Sequence, residues 1–145
     1  EENIKGREIE CSVLGNENPI ASVPGEIIPE EEFYSYTAKY SAESKTTYAI
    51  PAKLPSRLVK KIQELAIKAF ITLECEGMAR VDFFLTPDNK IFISEVNTIP
   101  GFTKISMYPK LWEVSGIPYP KLIDTLITLA IQRFKKEGVL KTSYE

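Results

Sequence analysis

The chain has 145 residues, of which 43% are hydrophobic and 26% are charged, a composition typical of one globular domain. Its net charge of −2 provides no electrostatic basis for binding nucleic acid or an anionic membrane. The sequence contains no histidine, which excludes a Ser-His-Asp triad, a Cys-His pair and His-ligated zinc within this chain. Any acid–base or electrostatic chemistry must therefore use carboxylates, Lys, Arg, Tyr or backbone amides.

Two further features bear on where the protein acts. No apolar run approaches the length of a membrane span, so we expect no membrane insertion. Cys11 and Cys75 are far apart in the sequence and form no CxxC pair, which predicts two buried free thiols in a reducing cytosol. We therefore expect a cytoplasmic protein.

The first part of the chain is predicted to form strands and a long loop. Residues 7–14 alternate between apolar and polar, which predicts a strand. After a turn at 15–19, residues 20–23 are expected to pair back, and residues 24–28 to form another short strand. Residues 33–52 are aromatic and polar without a clear period, which predicts a long ordered loop. Loops of that length in compact domains are usually functional.

The rest of the chain is predicted to form a helix, a β-hairpin and two more helices. The first helix opens at Pro55 and Ser56 and has apolar residues at helical spacing: Leu58, Ile62, Leu65, Ala66, Ala69 and Phe70. Residues 78–85 and 91–96 are short β-branched and aromatic runs joined by a turn at 86–90. Residues 106–114 predict a short helix.

The last predicted helix begins near Pro120, stops at Gly138 and carries a longer apolar stripe: Leu122, Ile123, Leu126, Ile127, Ala130, Ile131 and Phe134. Antiparallel strands with helices to one side predict an α+β domain.

The predicted hairpin gathers the residues best suited to chemistry. Because alternate residues share a face of a strand, each strand presents a set of three: Arg80, Asp82 and Phe84 on the first strand, and Ile93, Glu95 and Asn97 on the second. If those faces coincide, two carboxylates and a carboxamide converge beside a guanidinium. Such hard oxygen donors suit Mg²⁺ or Mn²⁺ bridging substrate phosphates, and an arginine can bind phosphate bidentately. A solvated strand face with a cross-strand ion pair is the simpler alternative.

Several spaced motifs in this sequence resemble one known family. The strings GREIECSVLGN, PGEII and FYSYTAKYSAESKTTYAIPAKLP are followed in order by GMARVDFFL, ISEVNTIPGFT and ISMYPKLWEVSGIPYPKLI. Together they resemble the C-terminal part of the D-alanine–D-alanine ligases, which are ATP-grasp enzymes of bacterial cell-wall synthesis. The resemblance covers nearly the whole chain. It implies an α+β ATP-grasp carboxyl lobe that uses ATP, two Mg²⁺ or Mn²⁺ ions and D-alanine.

The resemblance implies catalytic roles for the hairpin and for the loop that follows it. Asp82, Glu95 and Asn97 match the family's metal ligands, with Glu95 bridging both ions. Arg80 matches the arginine that contacts the transferred phosphate. Gly101 lies in the Pro-Gly loop after the second strand, where the family uses a backbone N–H for the tetrahedral oxyanion. A glycine allows close approach there, because it has no Cβ atom.

A second set of residues matches binding positions of the family. Lys39 and Tyr40 match its mobile lid, where the lysine reaches the γ-phosphate and the tyrosine closes over the D-alanine site. The alternative for a lysine in a polar loop is plain solvation. Related depsipeptide ligases, which make D-alanyl-D-lactate, carry a histidine in place of the tyrosine, so Tyr40 favours a dipeptide product. Glu8 matches the acid that holds the ribose hydroxyls.

The remaining matches concern the adenine and the second D-alanine. Glu1, Glu2 and Ile4 fall in the family's adenine-binding linker. Phe84 could pack against adenine, although an ordinary core position explains it equally well. Ser106 and Met107 match the pair that receives the carboxylate of the second D-alanine, while Ser106 could also cap the helix that follows.

The chain begins at Glu1, inside the family's sequence. The resemblance therefore implies that the amino-terminal domain and most of the central domain, with the glycine-rich phosphate loop, are missing. We expect a C-terminal fragment that is inactive alone and acts with the remainder of the ligase chain, commonly as a homodimer in this family. The alternatives are a D-alanine–D-lactate ligase, another ATP-grasp carboxylate–amine ligase, and a non-catalytic fragment that binds ATP and Mg²⁺.

Overall fold

A computed structural model describes residues 4–28, 47–103 and 105–138 of the chain. In these ranges six strands form one antiparallel sheet, which carries three helices. The strands are β1 (Arg7–Gly15), β2 (Ile20–Ala21), β3 (Gly25–Ile28), β4 (Thr47–Ala49), β5 (Gly77–Leu85) and β6 (Ile91–Asn97). The helices are α1 (Ser56–Thr72), α2 (Met107–Val114) and α3 (Tyr119–Glu137). The sheet order is β4-β3-β1-β5-β6, with β2 pairing on β1, which confirms the α+β class.

The predicted loop at residues 33–52 is wrong in its last part. Thr47–Ala49 forms β4, which pairs with β3 so that Tyr48 lies opposite Ile27. Three residues are too few to reveal a period of two, and the partner strand lies far away in the sequence. Residues 33–46 lie outside the described part of the chain.

One face of the sheet is covered by α1. Ile9, Val81 and Phe83 are fully buried on this face, and α1 packs on them through its predicted apolar stripe, including Ile62 and Phe70. Burial of such a stripe is the main source of stability for a helix of this length. The prediction for α1 is confirmed.

The opposite face is partly covered by α2 and α3. Leu14 projects to the side opposite Val13, because neighbouring residues of a strand alternate, and it joins a second cluster with Tyr108 and Trp112 of α2 and Leu122 of α3. The hydroxyl of Tyr108 donates a hydrogen bond to the backbone oxygen of Val13 at 3.0 Å. Helices therefore lie on both faces, and the expectation that they lie to one side is wrong. An amphipathic stripe shows that a helix is covered but not which sheet face covers it.

The apolar stripe of α3 is only partly buried. Leu122 is fully buried and Leu126 packs beside it, whereas Ile127, Ile131 and Phe134 are 54%, 50% and 75% exposed. The predicted helix is confirmed, and the second half of its apolar stripe lies largely exposed among the described residues. None of the helices in the described ranges is long and apolar enough to cross a membrane.

The two cysteines differ in burial. Both are free, but Cys11 is buried in the sheet while Cys75, in the turn after α1, is half-buried. The prediction of two buried free thiols is confirmed for Cys11 and is wrong about the burial of Cys75.

Candidate active site

A strip of polar side chains crosses the three central strands on the face that carries α2. Read from β1 through β5 to β6, its two rows are Glu10, Asp82 and Glu95, and Ser12, Arg80 and Asn97. Residues directly opposite one another in antiparallel strands share a face, with Cβ atoms about 5 Å apart. Asp82 and Arg80 of β5 therefore share one face of the sheet with Glu95 and Asn97 of β6, as the metal-site hypothesis requires. We call these six residues the polar strip.

One residue of the hairpin is on the wrong face in the prediction. Ile93 pairs with Phe83, whereas Glu95 pairs with Asp82, so one extra residue, Ser94, is inserted in β6. This irregularity moves Ile93 to the face opposite Glu95, because a shift of one residue reverses the side of the sheet. The bulge limits the polar strip to Glu95 and Asn97 on β6.

Arg80 is held in the strip by a bidentate ion pair. Its Nε and one terminal nitrogen donate to the two carboxylate oxygens of Asp82, each at 2.7 Å. The same guanidinium lies 3.4 Å from a carboxylate oxygen of Glu10 and 3.9 Å from one of Glu95. The hydrogen bond to Asp82, with the nearby carboxylates, raises the pKa of Arg80 above its usual value. Arg80 is therefore a fixed positive charge within three carboxylates.

Glu10 is the member of the strip that sequence reasoning missed. Its side chain is 3% exposed, and its Oε2 atom has no hydrogen-bond partner among the described residues. Burial raises the pKa of Glu10 to about 7, while the guanidinium of Arg80 opposes that rise. The available signal was the alternation of β1, in which Glu8, Glu10 and Ser12 share the side opposite the apolar residues.

The donor set of the polar strip fits a hard divalent cation. Asp82 and Glu95 are direct cross-strand partners, Asn97 lies in the next row, and the Glu95 side chain is 61% exposed and reachable. No group of three or more His, Cys, Asp or Glu residues in the described ranges could hold a metal by itself. A site with two carboxylates, an amide and substrate phosphates is what Mg²⁺ commonly uses. The amide oxygen of Asn97 accepts the backbone N–H of Ile99 at 3.1 Å, which orients this side chain.

The structure describes only some of the residues that match the family's nucleotide-binding positions. Glu8 and Phe84 are opposite one another on β1 and β5, one row beyond Glu10 and Asp82 on the same face. Both are half-buried, so each has part of its side chain available at the open end of the strip. Ile4 is half-buried and precedes β1. Glu1, Glu2, Lys39 and Tyr40 lie outside the described residues.

The loop after β6 leads from the polar strip to the start of α2. A Cβ atom placed on Gly101 would lie 2.9 Å from Oγ of Ser106, so a larger residue here would displace that hydroxyl. Ser106 is the residue before α2, but its hydroxyl makes no capping bond. It accepts the backbone N–H of Thr103 instead, at 3.0 Å. Met107 is buried as the first residue of α2. The loop therefore brings Gly101 close to Ser106 and Met107, the pair that matches the family's position for the second D-alanine.

Comparison with known proteins assigns the family. Residues 1–128 match the family described as D-ala D-ala ligase C-terminus. The chain belongs to the D-alanine–D-alanine ligase family. It is 62% identical to the D-alanine–D-alanine ligase of Oceanobacillus iheyensis over 99% of its own length. That alignment covers 39% of the relative, so the chain spans about two fifths of the length of the curated relative it matches.

Solved structures of the family agree with the fold. The D-alanine–D-alanine ligase from Coxiella burnetii superposes with a TM-score of 0.83 at 51% identity, covering 95% of this chain and 35% of the solved one. The Bacillus anthracis D-alanine–D-alanine ligase complexed with ATP gives a TM-score of 0.77 at 34% identity, covering 95% of this chain and 44% of that one. The resemblance drawn from the sequence motifs is confirmed.

Proposed function

We propose that this chain is the C-terminal catalytic portion of an ATP-dependent D-alanine–D-alanine ligase. ATP phosphorylates the carboxylate of one D-alanine, and the amine of a second D-alanine attacks the acyl phosphate to give the dipeptide used in peptidoglycan synthesis. The observation that carries this proposal is the polar strip, which sets Asp82 opposite Glu95 with Arg80 beside them. The proposal is also supported by membership of the D-alanine–D-alanine ligase family and by the similar fold of the Bacillus anthracis ligase solved in complex with ATP.

In this proposal the strip binds and orients the triphosphate. Asp82, Glu95 and Asn97 are the residues that would hold Mg²⁺ or Mn²⁺ ions. Bound there, such ions neutralise the triphosphate and orient its γ-phosphoryl group for in-line transfer. Arg80 donates N–H hydrogen bonds to the oxygens of the γ-phosphoryl group as that group is transferred from ATP. None of these residues forms a covalent bond with the substrate, so catalysis depends on positioning and electrostatics.

The other matched residues complete the site. Glu8 accepts from the ribose hydroxyls and Phe84 packs against the adenine, assisted by Ile4 and by Glu1 and Glu2. Lys39 of the lid reaches the γ-phosphate.

The loop and the start of α2 receive the amino acids in the same proposal. The N–H of Gly101 stabilises the tetrahedral oxyanion, and Ser106 and Met107 bind the carboxylate of the second D-alanine. The enzyme acts in the cytoplasm, where ATP is supplied. A homodimer stays a prediction.

The direct test is D-alanine-dependent phosphate release from Mg-ATP. The protein for this test is the intact ligase, meaning this chain joined to the N-terminal portion present in its relatives. Phosphate release with stoichiometric D-alanyl-D-alanine supports the proposal. Binding of Mg-ATP without any turnover in the presence of D-alanine would favour a non-catalytic nucleotide-binding protein instead.

The choice of second substrate is tested at Tyr40, which lies outside the described residues. We expect the intact ligase to make dipeptide in preference to D-alanyl-D-lactate. Tyr40→His adds a group that titrates near neutral pH, and as an imidazolium it can attract the D-lactate carboxylate. The ratio of ester to dipeptide should therefore rise as pH falls from about 9 to about 6. Tyr40→Phe, which adds no titrating group, is the matched control. An unchanged ratio in the histidine variant would exclude Tyr40 from the second-substrate site.

A further inference from the structure

Glu10 is a buried acid to which the proposed mechanism gives no role. Its side chain is 3% exposed, and its Oε2 atom has no hydrogen-bond partner among the described residues. That atom lies 3.4 Å from Nε of Arg80. A buried carboxylate oxygen without a partner is unfavourable, because burial removes the water that would otherwise bond to it. Its position beside the proposed phosphate-binding arginine points to a second state in which the arginine bonds to it.

Arg80 and a metal ion would compete for the same carboxylate. Both oxygens of Asp82 accept hydrogen bonds from Arg80 at 2.7 Å. A metal ion takes lone pairs from these oxygens and weakens their attraction for a guanidinium. Arg80 therefore needs another anion if it is to stay in place when Asp82 binds a cation. Glu95 cannot serve, since it is itself a proposed ligand and its side chain is 61% exposed and free to move.

Glu10 is fixed where such an anion is needed. It is on β1, directly opposite Asp82, and its neighbour on β3 is Gly25. A Cβ atom on Gly25 would lie 2.7 Å from the terminal methyl of Met107 and 2.8 Å from a methyl of Leu111, so α2 packs closely over this side. The central strand and the helix above it keep the Glu10 carboxylate from turning toward solvent.

We propose that Glu10 is a positioning residue for Arg80, an inference that rests on the proposed role of Asp82 as a metal ligand. When Asp82 binds the cation, the Nε–H of Arg80 moves to Oε2 of Glu10. The guanidinium then stays in the polar strip with its terminal N–H groups directed to the transferred phosphoryl group. Glu10 thus acts through Arg80 and does not touch the substrate.

The test combines Mn²⁺ binding with turnover in the intact ligase. Glu10→Gln keeps the size of the side chain and removes its charge. We expect the dissociation constant of Mn²⁺ in the presence of ATP, measured from the EPR signal of free Mn²⁺, to rise about tenfold, and kcat to fall about tenfold. KM for D-alanine should change less than about twofold. Glu113→Gln, the same change at an exposed position on α2 outside the polar strip, is the matched control and should leave all three values unchanged.

Two further variants separate positioning from charge and packing. Glu10→Asp keeps the charge but shortens its reach, so it should weaken Mn²⁺ binding about as much as Glu10→Gln. In an Arg80→Met background, Glu10→Gln should have less than about a third of its effect on the Mn²⁺ dissociation constant, because Glu10 acts through Arg80. Thermal unfolding confirms that each variant is folded. Normal Mn²⁺ binding in Glu10→Asp, or an equal fold-change with and without Arg80, overturns the proposal.

Asp82→Asn separates failure of this inference from failure of the proposed function. If Asp82→Asn leaves Mn²⁺ binding unchanged, Asp82 is not a ligand and both proposals are wrong. If Asp82→Asn abolishes Mn²⁺ binding while Glu10→Gln behaves as wild type in binding and kcat, the metal site stands and only the role of Glu10 is overturned.

Discussion

The environments of Cys11 and Cys75 set their chemical reactivity. Burial raises the pKa of the Cys11 thiol to about 12, which leaves almost no thiolate near neutral pH. Burial also raises the pKa of Cys75, but part of that side chain reaches solvent. We predict that iodoacetamide at about pH 8 modifies Cys75 and leaves Cys11 intact in the folded chain, as measured by peptide mass spectrometry. Both residues should react in guanidinium chloride. Modification of Cys11 at the rate of Cys75 under native conditions would show that β1 is not buried as described.

At the scale of single residues, the sequence predicted those parts of the site that depend on local geometry. The turn at 86–90 joins two strands whose alternation predicts that Asp82 and Glu95 share a face, and the register confirms it. The misplacement of Ile93 comes from a bulge, which has no signature in this sequence. Glu10 was missed because its importance depends on β1 pairing with β5 some 72 positions away, as the Glu10–Asp82 register shows. The alternation of residues along a strand does not reveal which distant strand pairs with it.

At the scale of elements, α2 is positioned by a glycine in the strand below it. Gly25 has no Cβ atom, and one placed there would lie 2.7 Å from the end of Met107. We predict that Gly25→Ala lowers the free energy of unfolding by about 1 kcal/mol, because the added methyl group must displace the side-chain ends of Met107 and Leu111 under α2. The measurement is a denaturant titration. In a double variant with Met107→Ala, the loss should be smaller than the sum of the two single losses, because one of the two obstructing methyl groups is gone. Additive losses would contradict this packing.

Comparison of α1 with α3 shows what the amphipathic pattern of a helix can and cannot predict. The stripe of α1 packs on the sheet and contains a fully buried series at helical spacing, Ile62, Ala66 and Phe70. The stripe of α3 has the same pattern, but Ile127 and Ile131 are about half exposed in the described structure. Periodicity shows which residues of a helix can be buried together. It does not show how much of the helix length a single sheet can cover.

At the scale of the whole molecule, the chain is expected to be catalytically silent by itself. It spans 39% of the Oceanobacillus iheyensis relative, and we propose that the remaining portion supplies the glycine-rich phosphate loop that the family resemblance implies. Interactions made only in the transition state are needed for turnover, and many would be missing. We predict no D-alanine-dependent phosphate release by this chain alone and clear release by the intact ligase under the same conditions. Appreciable release by the chain alone would show that it contains a complete active site.

The central claim is that Asp82 and Glu95 form the metal-dependent phosphoryl-transfer site. The measurement that tests it most directly is D-alanine-dependent phosphate release by the intact ligase carrying Asp82→Asn or Glu95→Gln. Each change removes a charge while keeping the size of the side chain, and we predict a loss of about a hundredfold or more at saturating Mg-ATP. Glu113→Gln, the same change at an exposed position on α2, should retain wild-type activity. Near-normal turnover in the Asp82 or Glu95 variant would contradict the account.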